Sequence, residues 1–106
     1  MEYVYILSNP SMPGLVKVGK TTTAPSQRMR ELHSTGVPTP FETELTVEVA
    51  NCDASERAAH HALDAHRVSA NREFFKVSPR NAIEAILPIL GEYKLLRSGT
   101  RGGSKR

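Results

Sequence analysis

Four side-chain types stand in an order that could hydrolyse a phosphodiester: a phenol at Tyr5, a cation at Lys17 just before Val18-Gly19, a guanidinium at Arg28 and a carboxylate at Glu56. A carboxylate can hold one hard divalent ion against the phosphate oxygens, and magnesium keeps most of its waters, so few protein ligands are needed. An arginine projecting from a helix can offset charge developing on the phosphate. A tyrosine beside the metal can orient the attacking water or take its proton. Each residue also has a plainer use. Tyr5 suits a half-buried strand, Arg28 an exposed helix face and Gly19 a strand end. Glu56 closes the run Asp53-Ala54-Ser55-Glu56, which has the spacing of a capping box, so capping and metal binding compete for one carboxylate.

These residues need elements to hold them. Tyr3 to Leu7 is β-branched and aromatic and stops at Ser8-Asn9-Pro10, which predicts a strand. Leu15 to Val18 reads as a second short strand, and the Pro and Gly loop between the two suggests an antiparallel hairpin. A helix follows with Thr23 as N-cap, Pro25 in its first turn and a stop near Gly36; Arg28 and Leu32 share its face. Glu42 to Val49 alternates as a half-buried strand. The capping-box run opens an alanine-rich helix to about His66, on which His60 lies one turn from Glu56. Val68 to Arg72 reads as a loop, Glu73 to Val77 as a short strand, and Ser78-Pro79 caps a last helix that Pro88 kinks or ends. The fold class is α+β, a small antiparallel sheet flanked by helices. Residues 1–90 form the domain, and residues 91–106 read as a basic, disordered tail.

Charge and composition narrow the function. The chain has 106 residues and a formal net charge of +3. Residues 91–106 hold five basic side chains against Glu92, so the tail carries the positive charge and the rest sums to slightly below zero. The basic pI therefore describes a tail and does not make the whole domain a nucleic-acid binder. A single cysteine, Cys52, excludes an intramolecular disulfide and points to a reducing cytoplasm; no apolar run is long enough to cross a membrane. Cys52 with His60, His61 and His66 does not match structural zinc spacing. Gly14 to Thr21 satisfies the P-loop pattern letter for letter. The residues between its glycines, Leu-Val-Lys-Val, are strand-forming rather than a phosphate-wrapping loop, so no nucleotide cofactor is expected.

Tyr3-Val4-Tyr5-Ile6-Leu7, then Val16-Lys17-Val18-Gly19-Lys20-Thr21, then Arg28 together resemble the GIY-YIG nuclease superfamily. More closely, they resemble the branch found in phage open reading frames as a DNA-binding domain and in the meiotically up-regulated gene proteins. In that branch the second triad reads KIG, a Glu-x-x-x-His helix follows the third strand, and an acidic-aromatic pair comes later. Here these are Lys17-Val18-Gly19, Glu56 to His60, and Glu73-Phe74-Phe75.

The resemblance covers residues 2 to 88. It implies a three-stranded antiparallel sheet with a one-metal nuclease site on its surface, binding one Mg2+ (or Mn2+) ion through Glu56. Tyr5 becomes the candidate general base, Arg28 the contact to the scissile phosphate, and Gly19 the point where the strand end passes close to the site. Lys20, His60 and Glu73 become supporting or phosphate-binding residues. The partner implied is DNA, with RNA not excluded. Tyr3 stands in place of the first motif's glycine, and Lys17 in place of the second motif's tyrosine. That leaves two readings: a metal-dependent endonuclease in which Lys17 pairs with phosphate or assists the water, or a catalytically inactive nucleic-acid-binding module of the same fold.

Overall fold

A computed structural model of the protein describes residues 1–33, 39–68 and 71–98. The chain opens with the expected hairpin, β1 (Glu2–Ser8) and β2 (Leu15–Thr21), paired antiparallel with Tyr5 opposite Gly19. Its loop is tied by Asn9, whose side-chain oxygen accepts from Ser11 N at 2.8 Å while its amide donates to the Thr39 carbonyl at 2.9 Å. Gly14 closes the loop at φ +83°, a conformation other residues rarely adopt. The P-loop lettering falls on this turn and on strand β2, so the local geometry is not that of a phosphate loop.

Next come α1 (Pro25–His33), β3 (Glu42–Val49), α2 (Cys52–Ala62), β4 (Arg67–Val68), β5 (Asn71–Lys76), α3 (Pro79–Ile86) and β6 (Lys94–Ser98). The class is α+β, as expected, but the sheet has six strands in the order β4-β5-β2-β1-β3-β6 rather than three. The central trio β2-β1-β3 is the predicted sheet. Of the outer strands, β5 is the short strand expected at Glu73 to Val77, shifted to Asn71–Lys76 so that it takes Asn71 and Arg72 from the expected loop; β4, with only two residues, takes Val68 from it and carries too little pattern to be read. The sixth strand lies beyond residue 90, in the stretch expected as a tail, where Lys94–Ser98 pair with β3.

Helix boundaries shift for identifiable reasons. The Arg28 N–H donates to the Ala24 carbonyl at 3.1 Å, so Ala24 rather than Thr23 opens α1; the Thr23 hydroxyl instead bonds Thr21. The expected stop at Gly36 lies outside the described residues. Helix α2 is capped by Asn51, whose side-chain oxygen accepts from Ala54 N at 3.1 Å, so the Asp53–Glu56 capping box does not form. The helix ends at Ala62 rather than near His66, and a short 3-10 turn, Asp64–His66, follows. Ser78 caps α3 as expected, through Asn81 N at 3.1 Å, and Pro88 falls in the 3-10 turn Leu87–Ile89 that terminates it. No described helix is long and apolar enough to cross a membrane.

Strand alternation sends β1 side chains to both faces. Val4 and Ile6 join Val16, Val18, Leu45, Val47 and Phe75 beneath α2 and α3, which contribute Ala59, Leu63, Ala82 and Ile86; this is the main core. Tyr5 and Leu7 face the other way and meet Leu32 of α1 and Phe41, with Met12, Met29 and Phe74 half-buried around them. At about 1.5–3 kcal/mol per large apolar side chain fully buried, the first face supplies most of the stability.

Candidate functional site

The site is organised by the end of β2. Gly19 sits directly beneath the Tyr5 ring: a Cβ there would lie 2.5 Å from Tyr5 Oη and 2.6 Å from its Cζ. Only a glycine lets the phenol lie on the strand. From α1, Arg28 Nε donates to Tyr5 Oη at 3.2 Å, while its Nη1 reaches Glu31 at 3.4 Å. Burial raises the Tyr5 pKa above its ordinary value; the Arg28 hydrogen bond and charge pull it down, without reversing the shift, and the carboxylates of Glu73 and Glu56 add to the rise. The phenol is therefore protonated at neutral pH.

Lys17, on the same strand, is buried at 8% exposure. A buried ammonium needs a counter-charge, and Glu73 of β5 supplies it in a direct ion pair; Phe74, opposite Lys17 in the sheet, places its ring 5.2 Å below Nζ. Burial alone would raise the Glu73 pKa, but the Lys17 hydrogen bond and charge, helped by His60 and Arg28, outweigh it and hold the carboxyl below its usual range. The strand β5 is irregular here, since Arg67 opposes Phe75 whereas Val68 opposes Asn71, which leaves Glu73 within a bulge.

Lys20 points the other way, to the first turn of α2. It bonds Asp53 at 2.6 Å and lies 3.5 Å from Glu56 Oε1. That ion pair raises the Lys20 pKa and lowers that of Asp53. One turn along α2, His60 Nε2 is 3.9 Å from Glu56 Oε2 and 2.9 Å from the Val18 carbonyl. A carbonyl can only accept, so Nε2 carries the proton. The His60 ring also packs on Phe75, with centroids 5.3 Å apart.

All eight residues singled out in the sequence therefore gather around β2, as three linked groups: Tyr5 with Arg28 over Gly19; Lys17 with Glu73; and Lys20 with Glu56 and His60. Sequence reasoning missed Asp53 as the closest acceptor of Lys20, and nothing in the linear spacing of the two signals it. It also missed Asn51 as the cap, although an Asn three residues before Ala54 was the available clue. With Asn51 capping, Glu56 is released from that task.

Among the described residues no group of three or more His, Cys, Asp or Glu side chains is arranged around a metal. A cation of the Mg2+ type requires fewer, because it retains its waters. Glu56 offers one partly buried carboxylate, its side chain 17% exposed. Its neighbour Lys20 is 42% exposed and has Asp53 as a nearer acceptor, so it can yield the carboxylate to a cation. Glu56 is thus the carboxylate that would hold a single hard ion.

Comparison with protein families matches residues 2–89 to the T5orf172 domain. Comparisons with curated proteins and with solved structures gave no match.

Proposed function

The chain belongs to the T5orf172 domain family, and from that premise we propose that it acts on DNA as a divalent-metal-dependent endonuclease of the GIY-YIG type. The observation that carries the reading is the Tyr5–Arg28 pair lying on Gly19. Only glycine at position 19 lets the phenol lie where the guanidinium can hold its hydroxyl, and the pair offers a phosphate two hydrogen-bonding groups side by side.

Arg28, part-exposed and already aligned through Nε, contacts the phosphate and offsets its growing charge. Tyr5 keeps its proton at neutral pH, so its hydroxyl orients the attacking water, whose proton passes to solvent at this part-exposed site. Lys17 occupies the place of the second motif's tyrosine and is fixed beneath the site by its ion pair with Glu73. His60 braces the Val18 carbonyl, and through it the strand end. Glu56 would hold the Mg2+ or Mn2+ ion, which when bound would act as a Lewis acid on a phosphate oxygen.

A second reading, a catalytically silent DNA-binding module, draws support from the same ion pairs: Lys17 is neutralised by Glu73, and Lys20 stands within 3.5 Å of Glu56. A time course on supercoiled plasmid and single-stranded DNA, with Mg2+ or Mn2+, separates the two. The endonuclease reading expects metal-dependent nicking that is lost in Glu56→Ala and in Arg28→Ala with the fold intact. Salt-sensitive retention of DNA without nicking would leave the binding module.

A further inference from the structure

We propose that the cavity between α1 and the sheet receives the base of an unpaired nucleotide whose phosphate lies on Arg28, so that the domain prefers single-stranded or locally opened DNA. The inference rests on the nucleic-acid reading above. The cavity measures about 220 Å³ and is walled by Leu7, Met29 and Leu96, with Tyr5 and Arg28 on its site-facing side and Thr46 in its floor. It exists because α1 has nine residues and few large apolar ones, while the β3 positions it covers are threonines, Thr43 and Thr46, which cannot fill the gap.

Three features select the occupant. Among the described residues Arg28 is the one charged residue in the lining, so an anionic group belongs beside it and an uncharged one inside. Thr46 is only 4% exposed, yet its hydroxyl has no hydrogen-bond partner among the described residues, and no described side-chain polar atom is sealed away without one. The hydroxyl therefore opens into the cavity and calls for a polar atom from a ligand. At about 30 Å³ per water the space holds roughly seven waters, which suits one heterocyclic base. Tyr5 and Arg28 belong both to this lining and to the phosphate site, so a nucleotide seated on Arg28 has its base at the entrance. A base that is paired and stacked in a duplex cannot enter, whereas an extruded or single-stranded one can.

The test measures binding in EDTA, at one salt concentration, of a short single strand carrying 2-aminopurine, of the same strand with an abasic site at that position, and of a blunt duplex. The abasic strand should bind about tenfold more weakly, in keeping with the loss of one well-seated base. Ser26 is exposed on the rim, and Ser26→Trp should cause a similar loss for the intact strand while leaving duplex affinity and the circular dichroism spectrum unchanged. Thr46→Val should give a smaller loss. Equal binding of intact and abasic strands, or no effect of Ser26→Trp, would overturn the inference. Arg28→Ala distinguishes its failure from that of the parent reading. If that variant weakens duplex binding while the abasic effect is missing, only the cavity assignment falls. If it changes neither substrate, the site reading falls and the cavity with it.

Discussion

The two faces of the central sheet are built to different ends. Beneath α2 and α3 thirteen buried residues form one continuous core, and six of its strand positions are Val, Ile or Leu at 0% exposure: Val4, Ile6, Val16, Val18, Leu45 and Val47. Beneath α1 the buried apolar set is four residues, and the neighbouring strand positions carry Lys17, Thr43 and Thr46. A domain of this size has little apolar surface to spare. The α1 face therefore trades packing for a phenol, a guanidinium and a buried ammonium, and depends on the other face for its stability.

The largest effects test that division. Phe75→Ala, in the main core at 0% exposure, should cost about 3–5 kcal/mol, a large part of the stability of such a domain. Leu32→Ala beneath α1 removes a residue still 8% exposed beside a cavity. It should cost about 2 kcal/mol, the low end for such truncations. Urea denaturation measures both; equal costs would remove the distinction between the faces. Gly19→Ala should come next, because the added methyl must displace the Tyr5 ring. About 1–3 kcal/mol of overpacking is expected, and with it loss of any nicking activity, read on plasmid, even at temperatures where the variant is folded.

How far this division was legible in the sequence follows from which signals are local. The β-branched and aromatic run Tyr3 to Leu7 and the alternation in Glu42 to Val49 are properties of neighbouring residues, and both strands fall where these put them. Ser78-Pro79 likewise carries its own cap. The strand β6 is not legible, because Lys94–Ser98 is strand only by virtue of the free edge of β3, which no local pattern encodes. Glu56 shows the same limit in the site. Its spacing from Asp53 fits a capping box, and only the competition from Asn51, together with Lys20 drawing Asp53 away, decides otherwise. The eight candidate residues were singled out because their order along the chain is a pattern; how they pair was not legible, since Lys17 and Glu73 are fifty-six positions apart.

A smaller effect sharpens the contrast by pH. The Glu73 carboxyl is held below its ordinary range in the folded protein. Its stabilising contribution is complete above the unfolded carboxyl value and is lost as pH falls through the lower, folded one. Glu73→Gln should therefore flatten the acid limb of a stability–pH profile and, by leaving the Lys17 ammonium buried without its counter-charge, lower stability at neutral pH. The acid-limb part is modest because the Glu73 side chain is 47% exposed. An unchanged acid limb would mean that Glu73 does not charge against Lys17 in solution.

The smallest change in stability is expected at Asp53, which is largely exposed, as an isolated surface ion pair contributes little. Its effect on metal use should be larger. In the wild-type protein the Lys20 ammonium is shared unequally, 2.6 Å from Asp53 and 3.5 Å from Glu56. Asp53→Asn removes the nearer carboxylate and leaves Glu56 as the remaining counter-charge, so Lys20 and a divalent cation then compete for one group. The Mg2+ concentration needed for half-maximal nicking, or for half-maximal quenching by Mn2+ of a fluorophore placed near the site, should rise severalfold, and Lys20→Ala in the same background should restore it. A variant with unchanged metal dependence would place the ion away from Glu56 and would remove the reason for keeping an acidic residue at the first turn of α2.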